Sequence, residues 1–137
     1  MSAEGAIAYD FAVLRAVPHV HLGAFVPVGV VLHARTAGYL GMRTLTGLDM
    51  LKARVPDVDH ELLARYLASC CAVAAGDSGA GPVALAPPSE RFHWLTAARS
   101  DVLQSSPVHA GLTDDPARAL DELFATYVAG APAPRED

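Results

Sequence analysis

Between Ser89 and Gly111 the chain concentrates more side chains with useful chemistry than anywhere else. Arg91, Arg99, Ser100, Gln104, Ser106 and His109 form the candidate ligand- or partner-binding set. Guanidinium forks suit phosphate or carboxylate, and Ser, Gln and His add donors around them. If residues 99–104 are extended, Arg99, Asp101 and Leu103 share one face, and Ser100, Val102 and Gln104 the other. The same residues also fit a surface network, with Arg91 beside Glu90, Arg99 beside Asp101 and His109 bonded to backbone. The lone Trp94 either closes a core or offers a stacking face.

Other constellations are weaker. His19 and His21 lie on one side of an extended segment, but no Cys-x-x-Cys or His-Glu-x-x-His accompanies them, so no metal site is expected. Cys70 and Cys71 fall inside an Ala-rich helical stretch, where a buried thiol is inert. Ser105, Ser106 and His109 suggest a hydrolase only superficially, because Gly-x-Ser-x-Gly is absent. The glycine-rich run 77–82 follows a helix and precedes no Lys-Ser/Thr, so it is not a phosphate loop. No cofactor is implied, and the catalytic residues, if any, are not specified.

These residues must be positioned by a small chain. Its 137 residues are 52% hydrophobic and 18% charged, which excludes a disordered protein and fits one domain over residues 1–130 with a disordered tail at 131–137. The net charge of −5 argues against nucleic acid and anionic membranes. Arg15, Arg35, Arg43, Lys52 and Arg54 nevertheless give the first half a mild basic character. No apolar run is long enough to span a membrane, and no secretory signal is evident. A cytoplasmic protein in a reducing compartment is expected.

The periodicity gives the elements. Ala8 to Val17 alternates with both faces mostly apolar, as in a central strand. Phe25 to Ala34 and Tyr39 to Leu45 are further strands, joined by a turn at Thr36-Ala37-Gly38. Gly29, in the middle of the second, predicts a bulge or a close backbone approach. A short helix over 47–54 follows, then a long one over 58–75 capped by Asp57 or Asp59 and ended by Gly76. Its buried stripe is expected to be Leu63, Tyr66, Leu67, Cys70 and Ala74. Val83 to Ala86 reads as a short strand, 90–96 as a helix, Ser100 to Gln104 as a strand, and Ser106 to Gly111 as a loop or short strand. Asp115 and Pro116 start the last helix, with Leu120, Leu123, Phe124, Tyr127 and Val128 as its apolar stripe. This order predicts an α+β fold: a mainly antiparallel sheet, built from an N-terminal three-stranded meander plus one or two later strands, with helices packed on one face.

Two stretches carry a family resemblance. They are Phe25-Val-Pro-Val-Gly-Val-Val-Leu32, and Ser89-Glu-Arg-Phe-His-Trp-Leu-Thr96 with Arg99-Ser100 and Ser106-Pro-Val-His-Ala-Gly111. With these motifs the chain resembles, from about Tyr9 to Val128, the bacterial family called domain of unknown function 3037. That family commonly shows an acidic residue and an Asn where this chain has Ala24 and Pro27, so no polar role transfers to those positions. The resemblance implies no established activity. Families of this kind often lie beside genes for kinases that look like the HipA toxin, which implies a protein partner of that type. The expectation is therefore an uncharacterised small cytoplasmic accessory or interaction protein acting with a kinase-like partner; the alternative is a small-ligand or phosphate-binding enzyme using the Arg/Gln/His cluster.

Overall fold

A computed structural model describes residues 6–18, 25–97 and 102–130. Its centre is strand β1, Ile7–Ala16, whose residues Phe11 to Leu14 are buried on both faces. Strand β2, Val26–Ala34, pairs antiparallel with it, and strand β3, Tyr39–Thr44, pairs antiparallel with β2. The expected meander is formed. Between β2 and β3 a short 3-10 turn, Arg35–Ala37, ends at Gly38, whose φ of 63° is the left-handed geometry glycine tolerates.

Gly29 fulfils both expectations for it. The β1–β2 register slips between Leu14↔Gly29 and Arg15↔Pro27, leaving Val28 as the extra residue of a bulge. The Val28 carbonyl instead accepts from the Leu45 amide at 2.9 Å. A Cβ on Gly29 would stand 2.9 Å from Thr44 Cγ2, so β3 can close on β2 only against a glycine.

Helix α1, Leu48–Arg54, leads into α2, His60–Ala75. Asp59 caps α2 by accepting from the Leu62 amide at 3.0 Å, and Gly76 ends it in left-handed geometry. Leu63, Leu67, Cys70, Val73 and Ala74 are buried; Tyr66, expected in that stripe, is exposed. The strand expected at 83–86 is instead a 3-10 turn, Pro82–Leu85. Pro82 fixes φ in the helical range and has no amide hydrogen for a ladder, which favours the turn. Helix α3, Pro88–Ala97, follows.

The last two strands share one edge of β1 end to end. Strand β4, Leu103–Ser105, pairs with Leu14 to Ala16, and strand β5, His109–Thr113, pairs with Ile7 to Phe11. The chain closes with α4, Pro116–Phe124, which runs into a wider π turn, Ala125–Ala129. Asp115 caps α4 by accepting from the Arg118 amide at 3.2 Å.

The fold is α+β with an antiparallel sheet, as expected, but the helices do not all lie on one face. His33 of β2 meets Phe92 of α3 at 5.4 Å between ring centroids, and Thr44 of β3 meets Cys71 of α2. These are the even-side residues of the sheet, in register with Asp10 and Leu14. On the opposite side Arg43 pairs with Asp121 of α4 and stacks on Phe124, while Phe11 meets Tyr127. So α2 and α3 cover one face, and α4 with its π turn covers the other. The cause is the composition of β1 and β2, which are apolar on both sides and need cover on both. No helix among the described residues is long and apolar enough to cross a membrane.

Candidate functional site

Arg91 lies on α3, on the α2–α3 side of the sheet. Its Nη1 donates to the Ala86 carbonyl at 2.8 Å, and the guanidinium packs over Gly76. It fastens the turn after α2 to α3, although its buried Nε has no hydrogen-bond partner.

Ser106 is stitched into the sheet centre. Its amide donates to the Val13 carbonyl at 2.8 Å, and its Oγ accepts from the Val13 amide at 2.9 Å. The register explains this. Leu14 faces Ser105 but Phe11 faces His109, so one extra residue sits between β4 and β5. Pro107, at this break, has no amide hydrogen to offer β1. Ser106 serves Val13 twice, once by backbone and once by side chain. Its hydroxyl also donates to the Pro107 carbonyl at 2.8 Å, so it is engaged as both donor and acceptor.

Gln104 and His109 share the opposite face from Arg91. Gln104 stands across from Arg15 and His109 across from Phe11. Cross-strand partners point to the same side, and the four-residue step from Phe11 to Arg15 spans about 13 Å. Arg99 and Ser100 lie outside the described residues, as do His19 and His21. The four described candidates do not form one cluster: Gln104 and His109 share a side, Ser106 lies between them in the ladder, and Arg91 is across the sheet.

The side shared by Gln104 and His109 carries residues that sequence reasoning did not assign to a site. The exposed His109 ring lies 5.5 Å from Phe11, and Phe11 lies 5.8 Å from Tyr127 and 6.0 Å from Tyr9. Tyr127, expected inside the helical stripe, is 44% exposed. It sits in the π turn, whose extra residue rotates the side chains relative to α4. Farther along β1, the Arg15 guanidinium stacks on Phe25 at 4.4 Å, and its Nη2 donates to the Ser105 carbonyl at 3.4 Å. Its Nε is buried without a partner. An arginine inside an apolar strand was the one available sequence signal; the aromatic cluster had none, because Phe11, His109 and Tyr127 are far apart in the chain.

Elsewhere the reactive groups are muted. Burial pushes the Cys70 thiol up to about 11, with its neighbour Cys71 adding to the effect. His33, the one buried polar residue of the described core, is held below its ordinary value by burial, with Arg35 assisting and Asp10 opposing. Among the described residues no three His, Cys, Asp or Glu side chains group to hold a metal ion. A cleft of about 270 Å³ between the end of β3, α1 and α2 is mostly apolar and includes Thr44 and Cys71. None of the four described candidates lines it.

The sequence profile of the family described as protein of unknown function (DUF3037) matches residues 11–128. The chain belongs to this family. No curated protein and no solved structure gives a significant match. The DUF3037 match begins at Phe11 and ends at Val128, so it includes Phe11, His109 and Tyr127 of the aromatic rim.

Proposed function

We propose that this DUF3037 chain is a small cytoplasmic accessory protein that binds a protein partner, with a HipA-like kinase as the partner to test first. The observation that carries the reading is the rim of His109, Phe11 and Tyr127, in which a tyrosine 44% exposed and an exposed imidazole flank a buried ring. Tyrosine and arginine anchors on a rigid sheet are the composition of interaction hot spots. Arg15 and Gln104 extend the rim with donors along the same side. Ser106 is engaged in the sheet, and burial raises the Cys70 thiol's pKa, so neither is offered as a nucleophile.

Isothermal titration with a purified HipA-like kinase tests the proposal. Binding is expected, and it should be lost in Tyr127→Ala and His109→Ala variants that melt like the wild type. Absence of binding, or binding indifferent to both substitutions, would refute it.

The second reading, a small-ligand or phosphate-binding enzyme, is favoured by one observation: the partnerless Arg15 Nε beside Gln104. A phosphate titration followed by the amide resonances of residues 13–15 and 104–106 tests it. Saturable shifts that vanish in Arg15→Gln support it, and an unresponsive spectrum ends it.

A further inference from the structure

Among the described residues nothing guards the outer edge of β5. Natural sheet edges are blunted by charged side chains, proline or bulges. The other edge of this sheet is blunted in that way: β3 carries Arg43, drawn onto Asp121 and Phe124. Strand β4 is also guarded, because the Ser105 carbonyl accepts from Arg15 and Pro107 follows. Strand β5 reads His-Ala-Gly-Leu-Thr, with no Lys, Arg, Asp, Glu or Pro, and among the described residues no strand pairs with its outer side. Leu112 is 72% exposed.

The ladder shows which backbone groups are free. Val13 directs both its amide and its carbonyl to Ser106, toward the β4–β5 side. Backbone direction alternates along a strand, so Phe11 and Tyr9 point the same way and bond His109 and Gly111. Ala110 and Leu112 must then direct their amides and carbonyls outward. These two residues are symmetric about Gly111. We infer that the chain forms a two-fold symmetric homodimer by antiparallel pairing of β5 with β5 of a second copy, centred on Gly111. In this register Ala110 faces Leu112 of the second copy, and the two pairs exchange four main-chain hydrogen bonds.

The side chains fit a second copy. The exposed Leu112 lies beside the small Ala110 of the other chain on one face. On the other face His109 faces Thr113 of the second copy. No like charges oppose each other within the strand. Gly111 sits at the two-fold axis, where the backbones approach most closely, and it has no side chain in the way; a Cβ there would already collide with the Tyr9 ring of its own chain. The dimer joins two sheets into one and sets the two His109–Tyr127 rims on the same side, giving a bivalent surface for a partner. The inference goes beyond the proposed function and does not depend on it.

Sedimentation equilibrium of the full chain across a dilution series tests it. The expected mass is twice 14.3 kDa at high concentration, falling toward 14.3 kDa on dilution. Leu112→Lys places a charge on the edge without touching the core and should be monomeric with an unchanged circular dichroism spectrum. Ala110→Pro removes an outward amide and spares the bonds to β1, so it should also be monomeric. For register, Ala110→Cys mixed with Leu112→Cys should yield a disulfide-linked pair on oxidation, since such opposed residues place their Cα atoms about 5.5 Å apart. A wild type that stays monomeric at every concentration overturns the inference. So does a dimer that survives L112K, because the interface then lies elsewhere. A wild type that dimerises but binds no kinase would refute the proposed function and leave this inference standing.

Discussion

Ser106→Ala is the substitution whose consequence follows most directly from the structure. The Val13 amide lies in the middle of the central strand, and Val13 is only 7% exposed. Its acceptor is the Ser106 hydroxyl at 2.9 Å, because the register break and Pro107 leave no regular ladder at that point. Removing the oxygen leaves a main-chain donor without a partner, a loss of about 1–3 kcal/mol. The bond is only partly buried, so water can reach the vacated space, and the expected cost is about 1–2 kcal/mol. In a chain of this size that lowers the melting temperature by roughly 3–8 °C. Urea unfolding should show a lower midpoint with an unchanged slope, which separates lost stability from a changed denatured state. Ser106→Thr keeps the hydroxyl and should recover most of the loss. Ser105→Ala, which gives up only the bond from Ser105 Oγ to the Ser106 carbonyl, should cost less. An S106A variant within about 0.5 kcal/mol of the wild type would refute the reasoning, since another acceptor must then serve Val13.

Two further predictions follow from α2. Asp59→Ala removes the cap on the Leu62 amide and should cost about 1 kcal/mol in the same assay. Cys70 should resist alkylation near neutral pH while the fold is intact and react on unfolding, whereas the half-buried Cys71 reacts sooner. The folded thiol titrates at about 11 against an ordinary 9.0, so its contribution to stability is fully present below about pH 9 and is lost as pH rises through about 11. Cys70→Ala should flatten that alkaline loss, as read by unfolding midpoints between those values.

The local signals in the sequence were strong where a single segment sets its own structure. The meander over 7–44, the proline-started last helix and the glycine stop at Gly76 follow from alternation, capping and backbone freedom within each segment. Gly29 is the finest case, since a glycine inside a Val-rich strand already signals the bulge and the close approach of Thr44. Local signals misled where neighbours decide. Val83 to Ala86 has strand-forming composition but follows Gly81-Pro82 and coils into a turn. Tyr127 has helical spacing, yet one π turn carries it from the core stripe to the rim.

The sequence by itself determined the α+β class, the central apolar strand and the family, because these depend on residue pattern along the chain. Only the tertiary structure decided which reactive side chains meet. Ser106 lies 93 residues from Val13 in the chain, and their pairing depends on a one-residue register break that no local pattern encodes. That break turns a candidate site serine into a sheet ligand, and the layering puts Arg91 across the sheet from Gln104 and His109. The physical reason is that side chains alternate with period two in a strand, so a single residue gained or lost decides which face, and which neighbours, every later residue receives.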